Sequence, residues 1–159
     1  MKIVLVINGP NLGILGKRQT HIYGLESLNE INKKLKKKCE EIGILIHDFQ
    51  HNSEGKIISF LNENYLSYYH SSNKNNKLIG IIINPAAYSH TSIGIRDSLE
   101  VYKEEKIPIF EVHISNIFAR ENFRQISYIS PIATGTISGL GSYGYEAALN
   151  KIIELEDNA

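Results

Sequence analysis

Short apolar runs alternate with stretches whose apolar positions recur at helical spacing. Lys2–Ile7 (KIVLVI), Ile44–Phe49, Leu78–Ile83 and Ile107–His113 read as strands. Their near-continuous Ile, Val and Leu content suits strands covered on both faces. Thr136–Ser138 reads as a short fifth strand. Between the first two runs, Leu28, Ile31, Leu35, Cys39 and Ile42 fall on one helical face. Ser27-Leu-Asn-Glu30 opens that helix as a capping box, and Gly43 stops it. The lysines of Lys33–Lys38 fall mostly on its opposite, solvated face. Ile57, Ile58, Leu61 and Tyr65 follow a cap at Asn52 or Ser53, and Ile95, Leu99 and Tyr102 follow one at Thr91 or Ser92. Tyr143–Leu155 is the last helix. The polar stretch Asn62–Lys77 reads as a helix end followed by an exposed loop.

Strand and helix alternate five times. Parallel strands need long crossovers, so the pattern predicts a three-layer α/β domain with a five-stranded parallel sheet. One domain spans residues 1–159. In such sheets ligands sit beyond the carboxyl ends of the strands. The polar clusters of this chain lie there: after Ile7, after Ile83, and at and after Val112.

Composition narrows the classes. Lys+Arg and Asp+Glu are 17 each, so no basic excess points to nucleic acid. One cysteine, Cys39, excludes an intrachain disulfide framework and suits a reducing compartment. The apolar run after Met1-Lys2 is too short for a signal segment, and no stretch is long enough to span a bilayer. A soluble, cytoplasmic protein is expected. Only four residues are arginine: Arg18, Arg96, Arg120 and Arg124. Their donor forks suit carboxylates, and they stand in motif-dense segments.

The loop Asn8–Gly24, NGPNLGILGKRQTHIYG, invites a phosphate-cradle reading and fails it. Asn11 stands where a P-loop needs its first glycine, Arg18 follows Lys17, and no dinucleotide glycine pattern is present. Tyr23 is a weak base at its ordinary pKa of about 10. A nearby cation such as Arg18 would favour the phenolate. Spacing alone equally allows Tyr23 to pack against the helix that follows. Asn84 ends the third strand, and His90 precedes a helix N-terminus, where it suits either anion binding or simple capping. Arg96 and Asp97 read alone as a surface pair. Glu111 and His113 share one face of the fourth strand. Such groups are costly in an apolar strand unless paired, and a carboxylate can orient an imidazole for general acid work. Arg120 and Arg124 fall at i,i+4, on one face if that turn is helical. No His, Cys, Asp and Glu set has metal-ligand spacing.

Together, INGPNLGILGKRQTHIYG, QHNSEGKII, IINPAAYSHTSIGIRDSL and PIFEVHISNIFARENFRQISYISPIATGTISGLGSYGYEAAL closely resemble type II 3-dehydroquinate dehydratases, over nearly the whole chain and in family order. The resemblance implies a flavodoxin-like fold and a homododecamer, a tetramer of trimers. It implies loss of water from 3-dehydroquinate through an enolate, without metal or organic cofactor. By the family motif, Tyr23 removes the proton alpha to the ketone and Arg18 favours its tyrosinate. Asn11 holds a water against the enolate oxygen. His113 protonates the departing hydroxyl, with Glu111 orienting it. Asn84, His90 and Arg124 match substrate contacts, and the amides of Ile114 and Ser115 would hold the substrate carboxylate. Asp97 matches a contact delivered from a neighbouring subunit, and Arg120 a loop-ordering or gating arginine. The loop glycines then read as hinges of a closing lid. Gly13, His51 and Phe118 depart from the family's usual residues. A flavin- or nucleotide-binding module on the same fold, and an oligomer that has lost its chemistry, are the competing readings.

Overall fold

The computed structural model describes residues 1–72 and 74–159. Its strands are β1 (Lys2–Asn8), β2 (Ile44–Gln50), β3 (Lys77–Asn84), β4 (Ile109–His113) and β5 (Gly135–Ser138). They form one parallel sheet in the order β2-β1-β3-β4-β5. Its helices are α1 (Thr20–Tyr23), α2 (Leu28–Glu40), α3 (Glu54–Tyr69), α4 (Ile93–Glu104) and α5 (Tyr143–Asp157). Short 3₁₀ turns fill the connections after β3 and β4.

Alternation along each strand divides the core in two. Val4, Val6, Ile46 and Val112 meet Leu28, Ile31 and Leu35 of α2 and Ala148, Leu149 and Ile152 of α5. Ile3, Leu5, Ile7 and Ile83 meet Ile57 and Leu61 of α3 and Ile95, Leu99 and Tyr102 of α4. The sheet is thus covered on both faces, as its apolar strands require. Helix starts follow their caps. Ser27 and Glu30 make both bonds of a capping box. Ser53 caps α3 and Ser92 caps α4, which selects between the two candidates in each case.

Several expectations shift. Ile42 lies beyond the end of α2 and is exposed. The lysine run is not simply solvated: Lys34 pairs with Glu26, Lys36 with Asp48 and Lys38 with Glu146. One expectation holds: α3 runs to Tyr69, so the first half of Asn62–Lys77 is a helix end; Asn73 lies outside the described residues. β4 pairs only from Ile109, because Pro108 has no N–H to give a ladder.

β3 carries an irregularity that periodicity did not signal. The pairing with β1 slips between Ile3 and Val4, leaving Ile79 as an extra residue. Ile79 therefore faces the α2–α5 side, and a Cβ on Gly80 would meet three Ile152 atoms at 2.7–2.8 Å. Ile152 is fully buried. Gly80→Ala is expected to lower the unfolding free energy by about 1–3 kcal/mol through overpacking. The urea midpoint measures this, and an unchanged midpoint would refute the packing account.

Candidate active site

β1 and β3 are neighbours whose crossovers leave in opposite directions, so a crevice opens beyond their carboxyl ends. Three chain segments meet there. The first is the loop after β1. Its root is fixed: Gly9 N donates to Asn84 O at 2.8 Å. A Cβ at Gly9 would lie 2.4 Å from Pro85 O, so the loop can pass only as glycine. Gln50 Nε2 donates to Gly9 O at 3.1 Å, and Asn11 N to Asn52 Oδ1 at 3.0 Å. These bonds hold Asn11 in the left-handed region, at φ 68°. The far end of the loop is α1, which delivers Tyr23. Its Oη accepts from Arg120 Nη1 at 2.8 Å and from Arg18 Nη2 at 3.4 Å. Both guanidinium carbons lie 5.0–5.3 Å from the Tyr23 ring centre. Arg120 Nη1 also donates to Ser115 Oγ at 3.2 Å.

The second segment ends β3. Asn84 is buried, and its Oδ1 accepts from Ala86 N at 3.1 Å. Its Nδ2 donates to Tyr145 Oη at 2.9 Å, and Tyr145 Oη donates to Asn8 Oδ1 at 2.6 Å. Burial pushes the Tyr145 hydroxyl well above its ordinary range, which keeps the proton that Asn8 receives. His90 closes the turn after Asn84, and its Nδ1 donates to Ile126 O at 2.6 Å.

The third segment ends β4. His113 is 4% exposed and Glu111 not at all. His113 Nε2 lies 3.5 Å from Glu111 Oε2, an electrostatic contact too long for a good hydrogen bond. The hydroxyls of Ser127 and Ser130 donate to the Glu111 oxygens. Burial pushes the Glu111 carboxyl up, but the His113 imidazole and the two hydroxyls outweigh it and hold the group below its ordinary value of 4.5. The His90 and His113 rings are nearly parallel, 6.3 Å apart.

These segments enclose a cavity of about 120 Å³. Asn11, Arg18, Tyr23, Asn84, His90, His113, Ile114, Ser115, Arg120 and Arg124 all line it. Glu111 stands behind His113. Asp97 is exposed on α4 and is not among the lining residues. Arg96 does not pair with it, reaching Tyr128 O at 3.1 Å and Glu100 at 3.5 Å instead. Arg120 and Arg124 share the cavity for a reason other than helical spacing. They belong to two separate turns, Ile117–Ala119 and Asn122–Gln125, with extended backbone at Arg120 between them. Ser127, Ser130 and Tyr145 support the site without having stood out in the sequence, and Asn52, read there as a cap candidate, supports it as well. The one usable signal was indirect: a buried glutamate requires donors, and short hydroxyl residues follow β4. Among the described residues, no group of three His, Cys, Asp or Glu side chains is placed to hold a metal ion.

A family model, Dehydroquinase class II, matches residues 1–153. The chain belongs to the class II dehydroquinase family. A relative named 3-dehydroquinate dehydratase, from Buchnera aphidicola subsp. Cinara cedri (strain Cc), is 48% identical over 151 residues, covering 95% of this chain and 91% of the relative. Another of that name, from Legionella pneumophila (strain Corby), is 47% identical over 97% of this chain and 98% of its own. A crystal structure of a type II dehydroquinase from Butyrivibrio crossotus DSM 2876 superposes with a TM-score of 0.84 at 40% identity, covering 96% of this chain and 97% of that one. The dehydroquinase fold is therefore shared throughout, consistent with the flavodoxin-like strand order found here.

The depressed Glu111 carboxyl has a consequence for stability. Its folded-state value lies below its unfolded one, so the stabilisation is present above about pH 4.5 and is lost as pH falls through the lower folded value. Unfolding midpoints in urea should therefore fall more steeply on acidification below pH 4.5 for the unaltered protein than for Glu111→Gln. Parallel curves would contradict the ionised state assigned to Glu111.

Proposed function

We propose that this chain dehydrates 3-dehydroquinate to 3-dehydroshikimate, a step of the shikimate pathway to aromatic amino acids. The observation that carries the reading is the pairing within one cavity of Tyr23, whose oxygen meets two guanidinium donors, with His113, backed by a buried carboxylate. An elimination of water from a β-hydroxy ketone needs a base for the alpha proton and an acid for the hydroxyl. Tyr23, as tyrosinate, takes the alpha proton. The electron pair moves onto the ketone oxygen as an enolate. Arg18 and Arg120 offset the charge at the Tyr23 oxygen before transfer. Asn11, held in place by Asn52, positions a water as donor to the enolate oxygen, where charge develops. The enolate then re-forms the ketone and expels the hydroxyl, which leaves as water with a proton from His113. Tyr23 ends protonated and His113 deprotonated, and exchange with solvent resets both.

The remaining residues hold the substrate. The backbone amides of Ile114 and Ser115 bind its carboxylate, and Asn84, His90 and Arg124 meet its other oxygens. No metal or organic cofactor takes part. Asp97 reaches the site of a neighbouring subunit, which fits its exposed place on α4 outside its own cavity. The assembly is a homododecamer, a tetramer of trimers. Exposed Phe118, Phe123 and Ile126 after β4 supply apolar surface for such contacts. The protein works in the cytoplasm as a soluble enzyme. Among the described residues, no helix is long and apolar enough to cross a membrane.

Mixing the protein with 3-dehydroquinate should produce the ultraviolet absorbance of the conjugated enone. Folded protein that gives no such signal would refute the reading. Tyr23→Phe should lower kcat by about 100-fold or more, the scale of a lost general base, with substrate binding largely kept. Near-normal turnover would remove Tyr23 from the mechanism.

A further inference from the structure

Glu111 has none of its surface exposed, and the mechanism leaves open how it keeps its charge and its aim. Both of its oxygens are met by the segment that follows the two arginine turns. Ser127 Oγ donates to Oε1, and Ser130 Oγ donates to Oε2. An ionised carboxylate has no proton to give, so the direction of both bonds is fixed. The surroundings fix it a second time. The backbone N–H groups of Ile129 and Ser130 both donate to Ser127 Oγ at 3.1 Å. The lone pairs of that oxygen are thereby used, and its proton is left for Glu111. Thr136 Oγ1, on β5, donates to Ser130 Oγ at 3.2 Å and directs the second hydroxyl in the same way.

The same segment also holds the other histidine. Ile126 O accepts from His90 Nδ1, and Tyr128 N donates to Ser89 O at 2.8 Å. Residues 126–130 therefore grip His90 directly and His113 through Glu111. The two rings lie 6.3 Å apart with planes 16° from parallel. The titratable groups about Glu111 are His113 on its own strand and, beyond it, His90 on the turn after β3; the loop and β5 present hydroxyls.

We propose that Ser127 and Ser130 are positioning residues for the acid: their hydroxyls hold Glu111 as a carboxylate aimed at His113, and the loop that carries them ties that aim to the placement of His90. The proposal rests on the dehydratase reading where it gives His113 the role of acid. A purely structural role, capping the Ser130–Ile132 turn, would make the same bonds but would leave the chemistry untouched.

The test is Ser127→Ala and Ser130→Ala, with Ser127→Thr as the conservative control. Each alanine variant should lower kcat by about tenfold, the scale of one hydrogen bond to a charged group, with KM within about twofold. The Glu111 side-chain carboxyl, followed by its carbon-13 resonance, should titrate about one pH unit higher. Ser127→Thr should restore both. If Ser127→Ala does not fold, Ser130→Ala and the milder Thr136→Val carry the same expectations, the latter with a smaller effect. Folded alanine variants with unchanged kcat, or with an unchanged Glu111 titration, would overturn the proposal. An unaltered protein that folds but forms no enone would overturn the dehydratase reading alone. The Glu111 titration needs no turnover and still decides for or against the hydroxyl pair.

Discussion

A charge placed within a covered parallel strand must be paired where it stands, and Glu111, in the middle of β4, is such a charge. It has no exposed surface, and the loop that carries Ser127 and Ser130 closes over it. An unpaired carboxylate there would be strongly unfavourable. The chain meets the requirement from three directions: an imidazole on the same strand, and two hydroxyls from the loop beyond it. That loop cannot move without stripping donors from the carboxylate. It therefore fixes the turn after β3 and the wall of the cavity as well. The geometry around His113, the acid of the proposed mechanism, follows from this one constraint.

The part that carries Tyr23, the proposed base, is built differently. Tyr23 comes from a short helix at the far end of a loop, and its contacts are side chain to side chain. The root of the loop is held through its own backbone, by Asn84 O and by the side chains of Gln50 and Asn52. One side of the cavity therefore rests on the sheet and the other on a connection. The two meet at Arg120, which reaches both Tyr23 and Ser115. On the proposed roles, a sheet-borne acid and a loop-borne base suit a site that must admit a substrate and then exclude water.

Much of this was legible in the amino-acid order because the apolar runs are nearly unbroken. A strand covered on both faces has no other composition open to it, so β1, β2 and β3 fall within one or two residues of their expected ends. The place of the candidate site was legible where polar groups interrupt that pattern, as at Asn84, Glu111 and His113. What escaped the sequence was of a different kind. The extra residue at Ile79 alters no composition, only register. Tyr145 sits at helical spacing among alanines and leucine, where a core role is the natural reading, although its hydroxyl links Asn8 to Asn84. Ser127 and Ser130 act on a residue 16 and 19 positions earlier, and no local pattern encodes that reach. Arg120 and Arg124 arrived in the same cavity by two turns rather than by one helix, so right neighbours came from a wrong geometry.

The central claim is a stepwise division of labour, with proton removal at Tyr23 and proton delivery at His113. It is tested most directly by substrate deuterated at the carbon alpha to the ketone, incubated with a His113→Asn variant in ordinary water. The account predicts that the label washes out into solvent while enone formation is nearly abolished, because the base still acts and the acid does not. Bound substrate that keeps its label, or enone formed at the unaltered rate, would contradict it.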